Sequence, residues 1–177
     1  MIKVRSELPK WLAEQGYRFG AEIGVYKGDF TDMFCEAGLF VYAVDPWKAY
    51  TLDRDQDRHD FLYGHTLRKL AKHTDYKIIR KTSMDALADI PDESLDFVYI
   101  DGDHQFDGAM QDIIEWSNKV RSGGVVSGHD YSGKWPDVKL AVDAYVAAHK
   151  LELVTFGSRE HAKFIGDRCQ SFLWKKP

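Results

Sequence analysis

The sequence predicts an α/β protein built on a doubly wound, seven-stranded sheet that is mostly parallel and carries one antiparallel strand. Short runs of β-branched and aromatic residues alternate with helical patterns along most of the chain. Residues 95–100 (L-D-F-V-Y-I) are almost entirely apolar, as expected for a parallel strand buried on both faces. No helical pattern separates the last two runs, so one strand near an edge of the sheet should be reversed.

The first part of the chain predicts a strand over residues 20–25, followed by a helix. The apolar face of that helix has the spacing i, i+3, i+4, i+7 and comprises Phe30, Met33, Phe34 and Ala37. Asp29 occupies the expected N-cap position, and Gly38 is the expected C-terminal stop. This strand and helix therefore form the first repeating unit of the sheet.

The remaining elements continue the alternation. The other predicted strands are residues 40–44, 76–80, 95–100, 125–127, 151–156 and 171–174. The predicted helices are residues 61–70, 84–88 and 136–149, together with one marked by Met110, Ile113, Ile114 and Val120. The 177 residues are expected to form a single domain, in which residues 46–74 cover the substrate.

Composition narrows the classes of partner. With 24 basic and 28 acidic residues and a net charge of −4, the chain is a poor candidate for binding a nucleic-acid backbone. Its longest apolar run, residues 39–44, is much shorter than the roughly 18 residues of a membrane span, so no membrane partner is expected. The N-terminal residues do not resemble an export signal, and Cys35 and Cys169 do not form a C-x-x-C motif. We therefore expect reduced thiols and a cytoplasmic protein.

Polar side chains collect in the loops that follow the first five strands. In an open α/β sheet, ligands bind at this carboxyl edge. The loops read E-I-G-V-Y-K-G-D, V-D-P-W, T-S-M-D, I-D-G-D-H and S-G-H-D-Y. The last two place acids and imidazoles at the ends of adjacent buried strands, where unpaired polar groups are costly. These two loops are therefore the strongest candidates for a functional site.

Two cofactor classes fit the first two loops. The interval from Gly24 to Asp45 suits the ribose-binding acid of a dinucleotide site. However, the loop reads G-V-Y-K-G rather than G-x-G-x-x-G, with Tyr26 in the place of the second glycine, and Asp29 would repel phosphate. S-adenosylmethionine carries a cationic sulfonium and ammonium, so it suits an acidic rim that includes Glu22. The residues therefore favour S-adenosylmethionine.

The chain resembles the class I S-adenosylmethionine-dependent methyltransferases, which have a Rossmann-like fold. The matching segments are A-E-I-G-V-Y-K-G-D-F-T, V-Y-A-V-D-P-W, L-D-F-V-Y-I-D-G-D-H and S-G-G-V-V-S-G-H-D-Y, and the resemblance covers roughly residues 19–174. Within the class, the chain is most similar to small-molecule O-methyltransferases of the macrocin and mycinamicin sugar type.

The resemblance implies roles for particular residues. Cofactor contacts are implied for Glu22, Gly24, Gly28, Asp45, Trp47, Ser83, Met84 and Asp101. Catalytic roles are implied for Asp101 and for His104 as general base, and a divalent cation such as Mg²⁺ would be held by Asp101 and Asp130. A third carboxylate ligand could come from Asp103 or from residues 53–60, and His129 is either a ligand or a support for its loop.

The resemblance implies O-methylation of a hydroxyl on a small molecule, a sugar or a glycosylated natural product, with or without a metal. A homodimer is compatible with a short chain that does not close its own substrate pocket. Two alternatives stay open at this point: a nicotinamide-dependent Rossmann oxidoreductase, and a noncatalytic binding protein that keeps the methyltransferase fold.

Overall fold

The computed structural model describes residues 2–49, 56–157 and 169–177, and a seven-stranded mixed sheet forms its centre. The strands are β1 Phe19–Ile23, β2 Phe40–Val44, β3 Tyr76–Ile79, β4 Leu95–Ile100, β5 Val120–Gly128, β6 Val154–Phe156 and β7 Ser171–Lys175. Their spatial order is β3-β2-β1-β4-β5-β7-β6. The first five are parallel, and β7 is antiparallel to both β5 and β6. The predicted fold class is confirmed.

Helices cover both faces of this sheet. They are α1 Leu8–Glu14, α2 Asp29–Glu36, α3 Gln56–Leu70, α4 Ser83–Ala86, α5 Phe106–Lys119 and α6 Pro136–His149, with 3₁₀ turns at Arg5–Glu7 and Leu87–Asp89. One buried cluster joins α1 and α2 to the sheet and includes Leu8, Leu12, Phe34 and Phe97. A second cluster packs α5 and α6 on the other face. Burial on both faces explains the nearly continuous apolar run of β4.

Strand β5 begins earlier than the pattern indicates. Val120, which we predicted on a helix face, is the first residue of β5, and the preceding helix ends at Lys119. Val120 pairs with Leu95, and the pairing with β4 shifts register before resuming at Phe97 and Val125. Residues 121–123, at this irregularity, are exposed, so no periodic signal marks them as strand.

The predicted N-cap of α2 is wrong. Gly28 is the N-cap, with a φ of 73° in the left-handed region, and no side chain caps this end of the helix. Asp29 is the first helical residue, and its carboxylate pairs with Lys69 on α3. At the other end the prediction holds, because Gly38 follows the helix with a φ of 75°.

The N-terminal segment forms structure that we did not predict. Leu8, Trp11 and Leu12 have helical spacing on α1, and Leu8 and Leu12 are completely buried against α2 and the sheet. The chain is also tied to the far end of the sheet, where the Gly157 amide donates to the Lys3 carbonyl at 2.9 Å. This packing carries the preceding turn, with Arg5, to the carboxyl edge of the sheet.

The segment 46–74 contains a regular element. Helix α3 connects the neighbouring parallel strands β2 and β3, as a crossover helix does. Residues 50–55 lie outside the described residues, and with them part of the charged run, including Asp53. No helix in the described part of the chain combines the length and apolar character that crossing a membrane requires. Cys35 and Cys169 are both free thiols.

Candidate active site at the carboxyl edge of the sheet

A cleft of 1110 Å³ opens at the carboxyl ends of the parallel strands. This volume suits a small-molecule site. The predicted site residues that line it are Glu22, Gly24, Asp45, Trp47, Ser83, Met84, Asp101 and His104. Gly28 is not among the lining residues; its missing side chain faces Thr66 on α3, where a Cβ would lie 2.9 Å from Thr66 Cγ2. Asp130 lies beside the cleft, on a small adjoining cavity that shares Asp101 and His104 with it.

Gly24 lets the loop after β1 lie directly against the end of β4. Its φ is 89°, and a Cβ at this position would overlap the Asp101 carbonyl. The Gly24 amide donates to the Val44 carbonyl at 2.9 Å, and the Asp101 amide donates to the Ile23 carbonyl at 2.7 Å. A glycine is therefore required for packing between loops, and this packing brings the predicted cofactor loop next to Asp101.

Glu22 is a buried acid at the floor of the cleft, with only 1% of its surface exposed. The Thr31 hydroxyl on α2 donates to its carboxyl group. Burial raises the pKa of Glu22 to about 8, although the Thr31 hydrogen bond and the Arg5 charge oppose the shift. The folded protein therefore holds a neutral acid here at neutral pH, and a bound cation would favour its ionised form.

The Asp45 carboxylate ties the loops after β1 and β2 together. Oδ2 accepts hydrogen bonds from the Val25 and Tyr26 amides at 3.1 and 2.9 Å, and Oδ1 accepts from the Trp47 amide at 2.7 Å. A carboxylate offers about four acceptor positions, so roughly one is left for a ligand. Asp45 therefore shapes the cleft as well as facing it.

Trp47 supports the loop after β1 from below. Its side chain is 1% exposed, and its indole Nε1 donates to the Tyr26 carbonyl at 2.9 Å. Its ring packs against Tyr63 of α3, with ring centroids 5.0 Å apart. The ring thus belongs to a small core with Val25 and Leu62, beneath the surface where we expected it to contact the cofactor.

Ser83 and Met84 line the cleft opposite this loop, at the start of α4. Asp112 of α5 faces the same wall and was not predicted. Its carboxylate is buried and hydrogen-bonded to Ser83, and burial raises its pKa to about 6. Asp112 belongs to no motif. The only signal in the sequence is a charged residue on the face of α5 that is otherwise buried.

His104 and Asp130 form a hydrogen-bonded pair at the other end of the cleft. Nε2 of His104 lies 2.6 Å from Asp130 Oδ2, and the His104 ring packs on Trp135 with centroids 4.3 Å apart. The hydrogen bond raises the pKa of His104 above its ordinary value. Burial opposes ionisation of Asp130, but hydrogen bonds from His104 and His129 hold its pKa well below the usual range. Asp130 has a φ of 60°, so its backbone conformation is unusual for a residue other than glycine.

Asp101, His104 and Asp130 each offer a ligand atom, and these atoms all lie within 4.8 Å of one another. Asp101, which follows β4, thus lies next to the His104–Asp130 pair. These three residues and His129 also line a cavity of 10 Å³, about the size of one water molecule or ion. The structure therefore brings together the two acids predicted as metal ligands.

Among the residues left open as further ligands, those that the structure describes contact other groups. Asp103 Oδ1 accepts from the Gln105 amide at 2.9 Å, and its carboxylate fills the space beside Gly108, so it supports the start of α5. Asp60 pairs with Arg80. His129 Nδ1 lies 3.1 Å from Asp130 Oδ1 and 3.9 Å from Asp101 Oδ1, between the two acids.

Arg5 is a second residue of the cleft that the sequence did not predict. Nη2 of Arg5 donates to Asp101 Oδ2 at 3.0 Å, and the side chain lines the cleft. Burial disfavours its charge, but the acids around it, including Asp101 and Glu22, hold the pKa of Arg5 above its ordinary value. Arg5 belongs to no motif, because only the packing of α1 brings it to the site.

A family model described as "Methyltransferase domain" matches residues 21–131, and the chain belongs to this family. An uncharacterized protein of Sinorhizobium fredii, y4gI, is 31% identical over 121 residues. The match covers 62% of this chain and 12% of that protein, so the chain spans about an eighth of this curated relative.

Solved structures share the fold at low sequence identity. The O-methyltransferase TomG of Streptomyces achromogenes, in complex with S-adenosylmethionine, has a TM-score of 0.73 at 12% identity, covering 98% of this chain and 80% of TomG. An O-methyltransferase from Bacillus cereus with S-adenosylhomocysteine has a TM-score of 0.69 at 14% identity, covering 97% and 80%. An rRNA methylase from Streptococcus thermophilus has a TM-score of 0.69 at 15% identity, covering 99% and 98%.

Proposed function

We propose that this protein is an S-adenosylmethionine-dependent O-methyltransferase that acts on a hydroxyl of a small molecule. One observation carries the proposal: a hydrogen-bonded His104–Asp130 pair stands at one end of a cleft whose other end is built from Glu22, Gly24 and Asp45. The first group suits proton removal, and the second suits a cationic nucleoside cofactor. Both lie at the edge of the sheet where ligands bind in this architecture.

The residues of the cleft fit S-adenosylmethionine. Glu22 and Asp101 would face its cationic methionine end, and Asp45 would accept one ribose hydroxyl through its remaining acceptor position. Ser83 and Met84 would form the adenine wall, with Trp47 holding the loop opposite and Gly28 setting its turn. When bound, the cofactor supplies an electrophilic methyl group. A dinucleotide is disfavoured, because its phosphates would meet acids at the same loop.

His104 would act as general base. Because Nε2 is engaged with Asp130, the neutral imidazole can donate Nε2–H to that carboxylate and keep the Nδ1 lone pair for the acceptor hydroxyl. Asp130 would fix the tautomer and stabilise the imidazolium that forms. Removing the hydroxyl proton makes the oxygen a better nucleophile for in-line attack on the methyl group, and the cleft supplies the positioning.

A divalent cation fits the two acids beside the base. Asp101 and Asp130 would hold it, and the small cavity they share has room for one ion. When bound, such a cation makes a coordinated hydroxyl more acidic. We include Mg²⁺ as an assisting ion on these grounds.

We further propose a sugar or glycosylated natural product as the acceptor. Trp135 lines the cleft beside His104 and offers an aromatic surface next to the base. Sugar C–H faces stack on such rings, while their hydroxyls need polar partners of the kind that His104 provides. The net charge of −4 opposes an RNA acceptor.

Transfer of a labelled methyl group from S-adenosylmethionine to a panel of sugars and glycosides tests the proposal. We expect turnover with the wild-type protein and its loss in His104→Ala, with unchanged affinity for S-adenosylhomocysteine. His149→Ala, the same change at the exposed end of α6, is the matched control and should be fully active. Full activity of His104→Ala on an identified acceptor would refute the assignment of the base.

A further inference from the structure

Arg5 places a cationic side chain in the wall of an otherwise acidic part of the cleft. Its guanidinium carbon lies 4.3 Å from the centroid of the Phe30 ring and 5.2 Å from that of Tyr99. Nη2 is held by Asp101 at 3.0 Å. Aromatic stacking and an ion pair together fix the plane of the guanidinium, so its donors point in defined directions.

The donors of Arg5 are incompletely used. A guanidinium has five N–H groups in a rigid fork. Nη2 donates to Asp101, but Nε is buried and has no hydrogen-bond partner among the described residues. Leaving a buried donor unpaired costs free energy, and the partner that best matches a guanidinium fork is a carboxylate. The position therefore suits a ligand that brings a carboxylate into the cleft.

The neighbouring charges indicate what else that ligand carries. Glu22 and Asp101 lie beside Arg5 and attract a cation. The lysines that line the cleft, Lys27 and Lys48, are exposed to solvent. Arg5 is complementary to a carboxylate, and the two acids beside it are complementary to an ammonium. A group that carries both on one carbon is the amino-acid end of a ligand.

We propose that Arg5 binds the α-carboxylate at the amino-acid end of the cofactor, while Glu22 and Asp101 face its ammonium and sulfonium. This inference rests on the proposed function. It assigns to the N-terminal segment a binding role that lies outside the residues matched by the family model, 21–131. Helix α1 anchors this segment through Leu8 and Leu12, so the carboxylate would meet a preformed group.

Calorimetric titration with two ligands tests the proposal. S-adenosylhomocysteine carries the amino-acid end, and 5′-methylthioadenosine has the same adenosine and thioether without it. In Arg5→Met we expect the affinity for S-adenosylhomocysteine to fall about 10- to 100-fold, the loss typical of a buried charge-assisted hydrogen bond. The affinity for 5′-methylthioadenosine should stay within about twofold of wild type. Arg121→Met, which removes an exposed arginine paired with Asp96, should change neither affinity.

Arg5→Lys gives a second readout if Arg5→Met does not fold, since it keeps the charge and loses the fork. It should weaken only the binding of S-adenosylhomocysteine. An equal loss for both ligands would show a structural role for Arg5 and overturn the proposal, as would an unchanged affinity for S-adenosylhomocysteine. If the wild-type protein binds neither ligand, the proposed function itself fails, so the two failures are distinguishable.

Discussion

Burial controls the chemistry of the individual acids in this cleft. Glu22 and Asp112 are buried, and burial raises the pKa of each, to about 8 and about 6. Asp130 is also buried, but hydrogen bonds from two histidines hold its pKa well below the usual range. Burial and hydrogen bonding therefore push the ionisation of carboxyl groups at this edge of the sheet in opposite directions.

Glu22→Gln tests whether the raised pKa of Glu22 makes the stability of the protein depend on pH. The unfolded chain ionises near the ordinary value of 4.5, whereas the folded protein keeps its proton up to about pH 8. The unfolded state therefore binds fewer protons in this window, and the free energy of unfolding should fall as pH rises from 4.5 to about 8. We expect Glu22→Gln to lose most of this decline in thermal melts, while Glu152→Gln, at an exposed position after α6, melts like wild type. An undiminished decline in Glu22→Gln would rule out Glu22 as its cause.

The His104–Asp130 pair predicts the pH dependence of turnover. The hydrogen bond raises the pKa of His104 above 6.5, and only the neutral imidazole can accept a proton. We expect kcat/KM to fall with decreasing pH, with a midpoint above 6.5. Asp130→Asn should move that midpoint to lower pH and reduce kcat. If the midpoint were the same in wild type and Asp130→Asn, the group that titrates would not be His104 paired with Asp130.

Asp45→Ala should affect both binding and stability. It removes three hydrogen bonds to backbone amides of two loops, as well as the acceptor proposed for ribose. We expect a loss of about 1–3 kcal/mol in the free energy of unfolding, measured by urea titration, and weaker binding of S-adenosylhomocysteine. Wild-type stability with weakened binding would show that the loop contacts are dispensable.

At the scale of elements, regular alternation was predictable, and irregular or nonlocal features were not. The parallel strands β2 and β4 have their predicted bounds, because their apolar runs are continuous or nearly so and are followed by Asp45 and Asp101. Strand β5 was predicted too short, because its first half is exposed and irregularly paired. The acids and imidazoles of the site were predictable because they directly follow strands of the parallel sheet. Arg5 was not, because its position depends on packing between distant segments.

The packing of helix α1 on the sheet can be tested by its contribution to the free energy of unfolding. Leu12 is completely buried against α2 and the sheet, so Leu12→Ala should cost about 2–5 kcal/mol of unfolding free energy. Leu140→Ala on α6 is the matched control, because Leu140 is 57% exposed, and it should change stability by less than about 0.5 kcal/mol. Urea titrations of the two variants make the comparison. If Leu12→Ala cost as little as we expect for Leu140→Ala, α1 would contribute little to the stability of the fold.

At the scale of the whole molecule, the sheet gathers loops from distant parts of the chain into one cleft. The proposed cofactor residues follow β1, β2, β3 and β4, and the proposed acid–base pair follows β4 and β5. Helices on both faces hold the strands in register, so the loop ends stay aligned. A homodimer stays a prediction, to be tested by sedimentation of the purified protein.

Removing divalent cations tests the assisting ion. The proposed metal ligands lie beside the base, so EDTA should lower methyl transfer, and added Mg²⁺ should restore it. Affinity for S-adenosylhomocysteine should change little, because most of the proposed cofactor contacts lie at the other loops. Full turnover in EDTA would contradict metal assistance and leave the role of His104 intact.

Calorimetric titration of the purified protein with S-adenosylhomocysteine tests the proposed cofactor site most directly. We predict one-to-one binding in the micromolar range, displacement by S-adenosylmethionine, and a clear loss of affinity in Asp45→Ala. No binding, with or without Mg²⁺, would contradict the assignment of the cleft to this cofactor.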